Sequence, residues 1–176
     1  MRLTTAPVTG ATLDRARPDG VLRDGVDASV AVDETRLGEG SPTGTFFDFA
    51  PLHLITTSTL SRIAELSPRG TVEPERYRPN IIIQTPGREF TENDWVGRDL
   101  RIGTSVVLRV IGRTHRCAVP TLEHGELPRD TAALQVPAEH NRVTPMDHFG
   151  PLPCAGVYAQ VLRPGRIQIN DAAELA

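Results

Sequence analysis

The chain has 176 residues, a formal net charge of −3 and 39% hydrophobic residues, enough for one ordinary domain with a buried core. The mild acidity gives no general pull toward nucleic acid or an anionic membrane. All 19 basic residues are arginine, so no lysine is present to form a covalent aldimine with pyridoxal phosphate.

The two cysteines, Cys117 and Cys154, make neither a disulfide framework nor a CxxC metal pattern. The opening Met1–Pro7 has no apolar signal-peptide core, and no run approaches the roughly 18 apolar residues of a membrane span. A cytoplasmic setting without membrane association is the resulting expectation. Fifteen glycines and fifteen prolines point to many turns and short elements.

Residues 1–45 carry short apolar groups around Val8, Leu13, Val21 and Val26–Val32, broken by Gly10, Pro18-Asp19-Gly20 and Gly25. They read as two or three short strands, with Asp24-Gly25 as a hairpin turn. At Phe46–Ile55 the chain becomes a dense apolar strand. Thr56, Thr57 and Ser58 then precede Leu60, Ile63 and Ala64 at helical spacing, which predicts a capped helix over 58–66. Such a helix start either caps itself or offers N–H and hydroxyl groups to a phosphate.

Ile81-Ile82-Ile83 reads as a buried strand. If the strand begins earlier, Arg76, Arg78 and Asn80 share one face, where two guanidinium forks and an amide grip an anion or merely meet solvent. Pro79 places this end at a sheet edge. Residues 89–97 form a turn with Trp95, and strands follow at 99–103 and 105–112. Residues 122–128 are a loop with His124, 131–135 a short helix cut by Pro137, and 138–153 a polar loop with His140 and His148. Strands are expected at 154–162 and 167–169 around a turn at Arg163–Arg166. The sum is a mainly β, barrel-like domain with a few short helices.

Gly112–Thr121 is the most distinctive stretch. If extended, it puts His115 and Cys117 on one face and Thr114 and Arg116 on the other. A thiol among Arg113, His115 and Arg116 is either a stabilised thiolate or a small core residue. Cys154 opens an apolar strand and reads as core, and His53 reads as a hydrogen-bonded structural residue.

In order along the chain, the 47–60 segment, Arg76-Tyr77-Arg78-Pro79-Asn80-Ile81-Ile82-Ile83, Glu92 to Gly97, Leu100-Arg101-Ile102-Gly103, Arg116-Cys117 and Gly156-Val157-Tyr158 to Asp171 resemble the MOSC domain. This is the C-terminal domain of molybdenum-cofactor sulfurases, related to the amidoxime-reducing molybdenum proteins. The likeness covers 46–176, with 1–45 as a short N-terminal segment packed on it. It implies a MOSC-type β-barrel for the molybdenum cofactor (molybdopterin), with Cys117 as metal ligand and catalytic residue. Arg78, Asn80, Thr56, Thr57, Ser58, Thr114, His115 and Arg116 would lie against the cofactor. The amidoxime-reducing members add a basic, proline-containing N-terminal strand, a motif expected to be missing before residue 46.

Three functions follow. The first is a molybdenum-cofactor oxidoreductase acting on N-oxygenated small molecules with a redox partner. The second is a sulfur carrier or maturation protein holding a Cys117 persulfide supplied by a cysteine desulfurase. The third is a reuse of the fold without molybdenum, including a zinc site from His115, Cys117 and one of His124, His140 or His148, which lacks recognisable ligand spacing. The chain could also act as an oligomer.

Overall fold

The computed structural model describes residues 10–25, 31–42, 45 and 47–176. An N-terminal ribbon pairs β1 (Thr12–Ala16) antiparallel with β2 (Val32–Arg36), with helix α1 (Pro18–Asp24) between them. Two or three strands were expected here, but the Asp24-Gly25 turn is instead a helix end. Pro18 at the first helical position, Asp19 in the first turn and Arg23 in the last are helix signals, and Gly25 at φ 89° stops the helix. Val8 and most of Val26–Val32 lie outside the described residues.

The rest is one curled half-barrel sheet: β3 (Leu52–Thr56), β4 (Ile81–Ile83), β5 (Asp99–Ile102), β6 (Val106–His115), β7 (Arg142–Val143), β8 (Leu152–Arg163) and β9 (Ala173–Leu175). The strand order is β4-β3-β8-β6-β5-β9, and β7 adds beside β8. The mainly β expectation holds, with β4 and β9 as the two ends of the path. Pairing is antiparallel except for β3–β4, which is parallel because α2 (Thr57–Leu66) and a 3-10 turn at Pro74–Tyr77 carry the chain back. A third helix, α3, covers Ala132–His140, longer than 131–135 because Pro137 is tolerated inside it.

Strand β6 alternates buried and half-buried residues along its whole length. Its buried side joins Leu54, Trp95, Leu100 and Val157 inside the sheet, while Ile55, Ile63, Tyr77 and Val136 form a second core under α2 and α3. At the edge strand, Ile83 is buried but Ile82 is 46% exposed, so the isoleucine run is not buried throughout. Residues 167–169 form no strand. β9 already occupies the edge of β5, with Leu100 opposite Leu175, and Ile169 is left 93% exposed.

Candidate functional site

Cys117 lies two residues beyond the end of β6, and Arg116 N–H donates to Pro153 O at 2.8 Å, tying this end to β8. The burial alternation continues across the stretch, with Thr114 and Arg116 buried and His115 and Cys117 half-buried. Cys117 is a free thiol. It lines a cavity of about 20 Å³ with His115, Arg116, Phe149 and Leu152 from the half-barrel and Arg15, Asp33 and Thr35 from the ribbon. That volume holds about one water-sized group.

Arg116 donates from Nη2 to Tyr77 O at 3.1 Å, and its guanidinium sits 5.3 Å from the centre of the Tyr77 ring. Its Nε is buried without a hydrogen-bond partner, as are His115 Nδ1, Arg113 Nε and Thr114 Oγ1. Burial, helped by Arg15 and Arg116, holds the His115 imidazole down to about 4, so it is a neutral polar group at pH 7. His53 is held down to about 3, by burial first and then by Arg116. Its Nε2 lies 3.3 Å from Ala155 O, a contact in which the neutral ring donates. His53 therefore has the structural role expected of it. Tyr158 packs against both His53 and Phe49, and burial raises its phenol. Burial likewise pushes the Cys154 thiol up to about 12, which leaves it inert beside Val143 O.

The other sequence-level candidates are placed elsewhere. Arg76, Arg78 and Asn80 do not form one gripping face. Arg76 lies in the 3-10 turn, fully buried, and bonds to Glu73 Oε2 at 2.5 Å and Pro128 O at 2.9 Å. Arg78 is exposed at φ 53°. Asn80 clasps the His53 backbone, accepting its N–H at 2.7 Å and donating to its C=O at 2.8 Å.

At the start of α2, Thr56 Oγ1 accepts from Thr59 N–H at 3.0 Å and donates to Glu92 Oε2 at 2.6 Å. Thr57 exchanges hydrogen bonds with the backbone of Thr85, and Ser58 does the same with Glu89. These hydroxyls are satisfied within the chain, as ordinary capping requires. Glu92 is 1% exposed, and burial raises its carboxyl, which accepts both threonine hydroxyls on one oxygen. Thr57 and Asn80 also line a groove of about 830 Å³ beside Ile82 and residues 167–173, distinct from the Cys117 cavity.

Among the described residues, no three His, Cys, Asp or Glu side chains come together to hold a metal ion, so the histidines considered for zinc do not assemble with Cys117. No described helix is long and apolar enough to cross a membrane.

The family model of the MOSC domain matches residues 41–174. The chain belongs to the MOSC domain family. No curated protein matches it. The matched stretch of this MOSC domain takes in Cys117, Arg78, Asn80 and the start of α2, and it begins after β1, α1 and β2.

A pyranopterin molybdenum cofactor, which the family implies, fits this site in charge but not in size. The thiol, Arg15, Arg116 and the unpartnered Arg113 Nε and Arg116 Nε suit a soft, anionic group. A cavity of about 20 Å³ does not take a tricyclic pterin while the ribbon lies over Cys117. Sequence reasoning missed Arg15 as a member of the site. The only local signal was the pair of arginines in Arg15-Ala16-Arg17-Pro18.

Proposed function

We propose that this MOSC domain is a molybdenum-cofactor-associated protein whose working group is Cys117, carrying one transferable sulfur as a persulfide. The observation that supports this reading is the cavity of about 20 Å³ at the thiol, walled by two guanidinium groups. It is large enough for one added atom, and the arginines favour the anionic persulfide. In loading, the Cys117 thiolate attacks the outer sulfur of a donor persulfide such as that on a cysteine desulfurase. One S–S bond forms, the donor's breaks, and the donor leaves as a thiolate, with no net oxidation.

Incubating the protein with excess persulfide donor should add the mass of one sulfur to the peptide containing Cys117, and Cys117→Ala should abolish the addition. An unchanged mass under donor excess would sink the reading.

The second reading, an oxidoreductase acting on N-oxygenated small molecules with Cys117 as metal ligand, is supported by the unpartnered donors at Arg113, His115 and Arg116. It requires the ribbon to stand away from the thiol. Molybdenum and pterin co-purifying from a host that makes the cofactor would favour it over the first.

A further inference from the structure

The ribbon turns its charge inward. In β1 only Arg15 and Ala16 are half-buried, and in β2 only Asp33 and Thr35. A ribbon that merely covered a core would turn apolar side chains that way. Here the inward face carries Arg15, Asp33 and Thr35, and all three line the cavity of Cys117.

Arg15 is held on the cavity wall rather than free to swing. Its side chain is 14% exposed, its Nε donates to Thr35 Oγ1 at 3.2 Å, and its Nη2 pairs with Asp48. Asp33 is committed to Arg17, which reaches it from Nη2 at 2.8 Å. Among the residues that line the cavity, Arg15 and Arg116 are positive and Asp33 is negative, with His115 neutral. Two positive groups against one negative leave one charge to be matched by an anion on Cys117.

We infer that Arg15 is an anion-holding residue of the Cys117 site alongside Arg116, brought there by a ribbon that lies outside the stretch matched to the family. The inference rests on the reading of Cys117 as the working thiol. It also closes the site with residues of the same chain, so no second copy is needed to supply the basic group.

Iodoacetate and iodoacetamide have nearly the same shape and differ by one negative charge, so the ratio of their rates at Cys117 reports the local field. Rates are followed by mass spectrometry of the Cys117 peptide in the full chain. Arg15→Gln should lower the iodoacetate rate about three- to tenfold relative to iodoacetamide, while Arg15→Lys should keep most of the ratio. Asp33→Asn removes the carboxylate on the cavity wall and should move the ratio the other way, which keeps the test decisive if Arg15→Gln folds poorly.

Equal ratios in wild type and Arg15→Gln, or both rates moving together, would reduce Arg15 to a structural wall and overturn the inference. A wild-type Cys117 inert to both reagents would instead overturn the working-thiol reading beneath it.

Discussion

Leu54, Ile55, Val110 and Val157 reach zero exposure in the half-barrel, whereas every strand residue of the N-terminal ribbon keeps some contact with water. The half-barrel is held by two apolar clusters. The ribbon's strands are tied down by ion pairs, Arg15–Asp48 and, through α1, Asp19–Arg142, with Asp48 and Asp19 both more than half exposed, and its apolar anchor is limited to the buried Pro18 and Val21 of α1. Burial of one aliphatic side chain contributes about 1.5–3 kcal/mol, and an exposed ion pair about 0–1 kcal/mol. The thiol thus stands on the firmly packed piece, and part of the charge around it comes from the loosely held one.

Gly156→Ala should break the comparison from the firm side. The residue sits at φ 85°, and a Cβ there would lie 2.2 Å from His53 Nε2 and 2.5 Å from Leu54 O. Overpacking against a backbone atom combined with a left-handed backbone should cost about 3 kcal/mol or more in denaturant unfolding.

Acid probes the same firm side through its buried rings. His53 and His115 have folded values of about 3 and about 4, below their ordinary value of 6.5. A depressed base contributes stability that is present above its unfolded value and lost as the pH falls toward its folded value. Unfolding free energies should therefore fall as the pH is lowered from about 6.5 to 4, by at most on the order of 1.4 kcal/mol per pH unit for each histidine. Glu92, whose carboxyl is raised, opposes them with a contribution that is lost as pH rises. A flat profile would mean that the two rings are not buried neutral.

The smallest effect belongs to the ribbon. Asp48→Asn with Arg142→Ala should change global stability by less than about 1 kcal/mol. Limited proteolysis within residues 10–36 should nevertheless accelerate, because local opening no longer has to break either ion pair. Equal protection in the variant and the wild type would show that the ribbon is held by something other than charge.

The half-barrel was legible in the sequence because its elements obey local rules. The β-branched run into Gly112, the strand after Cys154 and the Thr/Ser start of α2 each state their own structure. The features that were not legible depend on distant partners. The burial of Arg76 is made acceptable by Glu73 nearby and by carbonyls at Pro120 and Pro128, and no pattern near residue 76 announces the latter two. Ile167 and Ile169 alternate as a strand should, but the edge they would need is taken by β9. The Pro18-Asp19-Gly20 signal of α1 serves a turn as well as a helix start. Within the site, Cys117 and its neighbours could be picked out, while Arg15 belongs only through the ribbon's pairing and its fold-back over the thiol.

Arg116 reaches across to Tyr77, bonding to its carbonyl and lying over its ring, and Asn80 then fastens the same turn to His53. The two stretches that carry the family's most recognisable residues are thus bolted together, although 39 positions of sequence separate the bonded pair. They behave mechanically as one part. Grafting the Cys117 loop of another protein onto this frame would fail unless the Tyr77–Asn80 turn travelled with it, because each is the other's footing.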